Sequence, residues 1–99
     1  MINRQEAMRR ITTGERDLAN TDLSNINMSG VYLLGSDLRG ANLNGSDLSG
    51  AELRRADLRG ADLRGANLSN ADLRVARYDE NTQWPDGFDP AHAGAVLKA

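Results

Sequence analysis

A leucine or a near equivalent recurs at every fifth residue through the middle of this chain. The positions are Leu18, Leu23, Met28, Leu33, Leu38, Leu43, Leu48, Leu53, Leu58, Leu63, Leu68 and Leu73. Two positions before most of them stands a small residue, among them Thr21, Ser36, Ala41, Ser46, Ala51, Ala56, Ala61, Ala66 and Ala71. A five-residue step advances an α-helix by about 140° beyond a full turn, so these leucines would spiral around a helix instead of marking one face. Gly30, Gly35, Gly40, Gly45, Gly50, Gly60 and Gly65 would each cost such a helix roughly 1 kcal/mol relative to Ala. A continuous strand fails as well, because its side chains alternate with period two and an odd repeat sends successive leucines to opposite faces.

One arrangement satisfies the spacing. The small residue and the leucine point the same way from a short extended segment. The next two positions turn the chain, and the pattern restarts on a new side. Gly at the second of them suits the positive φ of a type II turn, and Asn20, Asn25 and Asn70 tolerate it. Arg55 and Val75 occupy the same position and suit it badly, so a different turn is expected there. The chain winds around a filled interior, layer on layer, because one unit alone cannot bury its apolar pair.

Ala56-Asp57-Leu58-Arg59-Gly60, Ala61-Asp62-Leu63-Arg64-Gly65 and Ala66-Asn67-Leu68-Ser69-Asn70 resemble the A(D/N)LXX motif of pentapeptide-repeat proteins. The resemblance covers residues 16–78 and rests on near-contiguous units, which makes it specific. It implies an all-β fold, a right-handed quadrilateral parallel β-helix with four pentapeptides per coil. About three coils result, a stack roughly 15 Å tall at the usual strand spacing of about 4.8 Å.

A stack of this kind exposes apolar interior and strand edges at both ends and needs caps. One domain is expected, divided into an N-terminal helical cap over 1–15, the repeats over 16–78 and a C-terminal cap over 79–99. The first cap reads as a helix at residues 2–11, with Ile2, Ala7, Met8 and Ile11 on a broad apolar stripe and Thr12-Thr13-Gly14 as its stop. In the second, Trp84 and Phe88 read as a lid beside Leu73 and Tyr78, and Pro85 and Asp86-Gly87 are turn signals. Asp89-Pro90 suits the start of a short helix through Ala91, Ala95, Val96 and Leu97. This tail resembles the closing segment of many cyanobacterial pentapeptide-repeat proteins.

Charge and composition narrow the function classes. The formal net charge is -2. The repeats hold acids and bases in balance, so they offer no strong field for nucleic acid or anionic lipid. With no cysteine there is no disulfide and no thiolate. No apolar run approaches membrane-spanning length. The start, Met1-Ile2-Asn3-Arg4, lacks a signal-peptide apolar region, and the cytoplasm is the expected compartment. His92 stands alone, and the columns of stacked residues (Asp17, Asp37 and Asp57; Arg39 and Arg59; Arg54 and Arg74) read as a solvated surface. No constellation of catalytic, cofactor-binding or metal-ligating residues is present, so neither an enzyme nor a cofactor is expected. Tyr32 and Leu34 are the exception among outward positions. They are apolar, two residues apart, and form a candidate protein-contact patch.

The expected function is a non-enzymatic scaffold or protein-interaction module, monomeric or at most weakly dimeric. The expected partner is a protein, not nucleic acid or membrane. The alternative comes from the resemblance: some pentapeptide-repeat proteins are similar to B-DNA in shape and charge and inhibit or protect DNA gyrase. The balanced surface and short stack of this chain depart from that pattern.

Overall fold

The computed structural model describes residues 4–98. Its first element is helix α1, Arg4–Thr12, which buries Ala7 and Ile11 against the core and packs Met8 beside them. Ile2, expected on the same stripe, lies outside the described residues. The helix stops where Gly14 takes φ 85°. There the Gly14 N–H donates to the Ile11 carbonyl and the Glu15 N–H to the Arg10 carbonyl, the paired closure of a Schellman cap.

From Asp17 onward the backbone is joined by parallel bridges between residues twenty apart, in four columns. Asp17 bridges Asp37, which bridges Asp57; Asp22, Asn42 and Asp62 form the second column. Asn27, Asp47 and Asn67 form the third, and Tyr32, Glu52 and Asp72 the fourth. From Leu18 to Leu63 each repeat leucine, and Met28 in its place, donates its N–H to the layer above, as Leu53 does to Asp72 at 2.8 Å. From Asp37 to Asp72 each residue preceding a repeat leucine donates to the layer below, as Glu52 does to Val31 at 2.9 Å. The extended pieces are too short to be continuous strands, and the bridges do the work of a sheet.

The leucines point inward throughout, and Leu18, Leu23, Leu33, Leu38, Leu43, Leu48, Leu53, Leu58 and Leu63 have no exposed surface. From Val31 onward the chain turns between units through a hydrogen bond from the first residue of each repeat unit back to the carbonyl of the preceding leucine or Met28, for example Ala41 to Leu38 at 3.1 Å. The residue before that first one carries positive φ, which glycine and asparagine accept with little strain. Arg55 and Val75 do not depart from this turn as expected. They adopt it, at φ 62° and 61°, because the ladder above and below holds the corner in register: Arg55 N–H reaches the Arg74 carbonyl and Val75 N–H the Gly94 carbonyl.

Two inward hydroxyls are treated differently. Ser46 Oγ accepts from the Ile26 N–H and donates to the Leu23 carbonyl. Ser36 Oγ is fully buried and has no partner. A buried hydroxyl without a partner costs about 1–3 kcal/mol, so Ser36→Ala is expected to raise stability by roughly 1 kcal/mol while Ser46→Ala lowers it by a similar amount. Chemical denaturation of the two variants checks the opposite signs.

The expected C-terminal helix is absent. Residues 90–94 make a single turn, closed by a second Schellman pair, Gly94 N–H to Ala91 and Ala95 N–H to Pro90. Gly94 at φ 88° ends the turn before a helix can propagate. Ala95, Val96 and Leu97 therefore do not continue a helix. Strand β2, Val96–Leu97, instead pairs in parallel with β1, Arg77–Tyr78. The tail also adds the bridge from Gln83 to Asp62, so it forms a partial further layer. Trp84 and Phe88 pack on the core beneath this segment. Trp84 stacks on Phe88 at 5.2 Å and meets Tyr78 edge-on at 5.5 Å.

Candidate functional site

The outward side chains follow a rule that the five-residue unit builds in. A carboxylate two positions before an arginine accepts both the arginine backbone N–H and its guanidinium. Asp37 holds Arg39, Asp57 holds Arg59, Asp62 holds Arg64 and Asp72 holds Arg74, with Nη2 to Oδ2 distances of 2.7–2.8 Å. Glu52 accepts from Arg54 Nε at 3.0 Å. Ser24 and Ser49 close the same turn on Asp22 and Asp47. Arginine and carboxylate thus neutralise each other within one layer, two residues apart.

Asp57 is the one buried carboxylate among the described residues. Besides Arg59 it faces Arg39 at 3.8 Å and Arg77 at 3.7 Å. The Arg59 hydrogen bond holds its carboxyl below the ordinary range against the opposing effect of burial. Arg74 does the same for Asp72, lowered to about 2. A carboxyl depressed in the folded state stabilises fully above its unfolded pKa of about 3.9, and that contribution disappears as pH falls through the folded value. Asp37, Asp62 and Glu52 are lowered in the same direction by their own arginines. Thermal stability is therefore expected to be insensitive to these groups above about pH 5 and to fall progressively between there and about pH 2. Melting curves across that interval check the sign.

Tyr32 bridges Glu52 on the fourth column, and Leu34 follows two residues later. Tyr32 is 53% exposed, and the Arg16 guanidinium sits over its ring at 5.3 Å. Leu34 is half-buried, which leaves Tyr32 as the larger part of the patch. Val31 and Ile26 are partly buried against the core. His92 is exposed in the tail turn, its backbone N–H donating to Asp89. Among the described residues no three His, Asp or Glu side chains converge as a metal site would require. No helix among them is long and apolar enough to cross a membrane.

The sequence reading missed a groove of about 220 Å³ at the corner of the same column, lined by Arg55, Val75, Arg77, Val96 and Lys98. Its one visible signal was the pair Arg55 and Val75 at a position filled elsewhere in the repeats by glycine or asparagine. Its other walls, Val96 and Lys98, come from the tail and carry no repeat pattern.

Comparison with known proteins places this geometry. The profile of pentapeptide repeats matches residues 17–50 and 36–74, with eight copies. A pentapeptide repeat protein from Nostoc PCC 7120 has a similar solved structure, at 38% identity and TM-score 0.61, with 97% of this chain and 96% of that one covered. The pentapeptide repeat protein Rfr23 from Cyanothece 51142 is 38% identical with TM-score 0.55, over 69% of this chain and 56% of the other. HetL from Nostoc sp. strain PCC 7120, a pentapeptide repeat protein involved in regulation of heterocyst differentiation, is 32% identical with TM-score 0.62, over 83% of this chain and 40% of its own. The search of curated proteins returned no match. Repeat profile, bridge ladder and cyanobacterial structural neighbours together imply the right-handed β-helix, and the chain belongs to the pentapeptide-repeat family.

Proposed function

We propose that this protein is a non-catalytic interaction module of the cytoplasm, a quadrilateral stack of about three coils that presents one side to a protein partner. One observation carries the reading: departures at outward positions are concentrated on one side. Tyr32, Leu34, Glu52, Arg55 and Val75 all belong to the column in which Tyr32 bridges Glu52 and Glu52 bridges Asp72, whereas Ile26 and Met28 of the third column pack into the core. A side that served only solubility would have no reason to break the pattern there. An exposed tyrosine beneath an arginine is also a usual ingredient of protein contacts. The regulatory involvement of HetL supports a role in recognition over one in catalysis.

Capture from a cyanobacterial lysate, with wild-type protein and Tyr32→Ser as baits, tests this. A protein retained by the first and lost by the second is the expected result; capture indifferent to the substitution counts against the Tyr32 side. The gyrase reading makes a different demand, a continuous negative surface able to enter a basic groove. Arg39, Arg59, Arg64 and Arg74 each neutralise the carboxylate two residues before them. Purified protein is accordingly expected to leave gyrase supercoiling unchanged at about micromolar concentration, and dose-dependent inhibition would favour mimicry.

A further inference from the structure

We propose that the groove lined by Arg55, Val75, Arg77, Val96 and Lys98 binds an acidic segment of a partner protein, with an aliphatic side chain held between the valines. The proposal rests on the interaction-module reading and supplies the chemistry of a partner. Three features of the groove point to it.

The first is charge without a counter-charge. The arginines at the fourth position of the units are each clamped by a carboxylate two residues earlier. Arg55 stands one residue later and has neither a hydrogen bond nor an ion pair from its side chain among the described residues, and the same holds for Lys98. Arg77 has a single long contact, 3.7 Å to Asp57, whose carboxylate Arg59 already holds at 2.7 Å. The acids nearby do not fill the groove. Asp79 is occupied by the N–H groups of Gly60 and Asn81, and Glu80 borders Lys98 on the side of a separate depression. A guanidinium and an ammonium left open beside each other suit carboxylates.

The second is strain without a structural return. Arg55 and Val75 stack in the one corner column where residues other than Gly or Asn hold positive φ. For a β-branched residue that conformation is an outlier. Val75 does not recover the cost by packing, since it is 54% exposed. Strain of this sort gathers at binding sites, where the surroundings hold a side chain in place for a ligand.

The third is the kind of ligand that the walls admit. Val75, and Val96 at 38% exposed, give the groove an apolar floor that a bare phosphate or a nucleic-acid backbone would not use. Strand β2 is the outer member of its two-stranded sheet, and an extended peptide can add backbone hydrogen bonds to such an edge. Exposed Leu97 continues the apolar strip beyond the groove.

Fluorescence anisotropy with a labelled nonapeptide of alternating glutamate and valine tests the proposal. The controls replace glutamate by lysine, or valine by serine, and a labelled thymidine oligonucleotide is the competing polyanion. The glutamate–valine peptide is expected to bind most tightly. Arg55→Asn should weaken it by about tenfold or more, the loss of a charge-assisted contact. The fold should persist, since Asn20, Asn25 and Asn70 already occupy this conformation. Val75→Gly should weaken binding while raising Tm, because it removes the contact and the strain together. Ser29→Ala, at an exposed position of the third column, should leave the peptide affinity unchanged. The proposal is overturned by absence of saturable binding up to about millimolar protein, by equal binding of the lysine peptide, by tighter binding of the oligonucleotide, or by indifference to Arg55→Asn. Loss of peptide binding alongside Tyr32-dependent capture would remove the groove and spare the wider reading. Arg55-dependent peptide binding with Tyr32-independent capture would do the reverse.

Discussion

Leu53→Ala is expected to destabilise the protein by about 2–5 kcal/mol, the range for truncating a fully buried leucine. Leu53 lies in the middle of the Leu33, Leu53 and Leu73 column, with no exposed surface. Its backbone N–H is tied to the Asp72 carbonyl, and its neighbour Glu52 is tied to Val31. The layers on either side therefore resist collapse into the space that three lost side-chain carbons would leave, and the cost should fall toward the upper end. In a domain of this size each kcal/mol moves Tm by roughly 4–8 °C, so a fall of at least about 8 °C is expected. A loss below about 1 kcal/mol would mean that the interior is loosely packed, and the stacking argument would fail with it.

Truncation after Tyr78 is expected to have a second large effect, and of a different kind. It removes the backbone bonds of Gln83 to Ala61 and Leu63, of Gly94 to Val75, and of Val96 to Ala76. It also removes the Thr82 hydroxyl that donates to the Leu58 carbonyl. Losing the cover of Trp84 and Phe88 costs on the order of 3 kcal/mol in apolar burial. More consequential is what becomes exposed: the leucines of the last complete layer, together with backbone groups arranged to accept another layer. Such an edge pairs with copies of itself. The truncated chain should melt at lower temperature and elute at a size that grows with concentration. A monomeric product of undiminished Tm would show that the tail is dispensable as a cap.

Stacked layers hold outward side chains at fixed spacing along a side.

Much of this architecture is legible in the sequence because the information is local and repeated. Each five-residue unit states its inward leucine, its small partner and its turn residue, and the statement is made again in the next unit. Gly40, Gly60, Asn25 and Asn70 mark corners by their own backbone preferences, without help from neighbours. The outward position of Tyr32 follows from the same alternation. The end of the helix cap, from apolar spacing and Gly14, needs nothing distant either.

Tertiary structure alone decided the rest, at the places where a residue's conformation depends on surfaces far along the chain. Arg55 and Val75 take the left-handed corner because layers twenty residues away impose it, against their own preference. Asp57 is buried because Arg39, Arg59 and Arg77 converge on it from three layers. The tail has no repeat to declare its path. Asp89-Pro90 favours a helix start, but the open edge of Arg77 and Tyr78 offers Val96 and Leu97 a ladder to join. A single turn closed at Gly94 delivers them there. Backbone pairing with a preformed edge outweighed the weak propensity of a few residues to continue a helix, and that choice also completed the groove between Arg55 and Lys98.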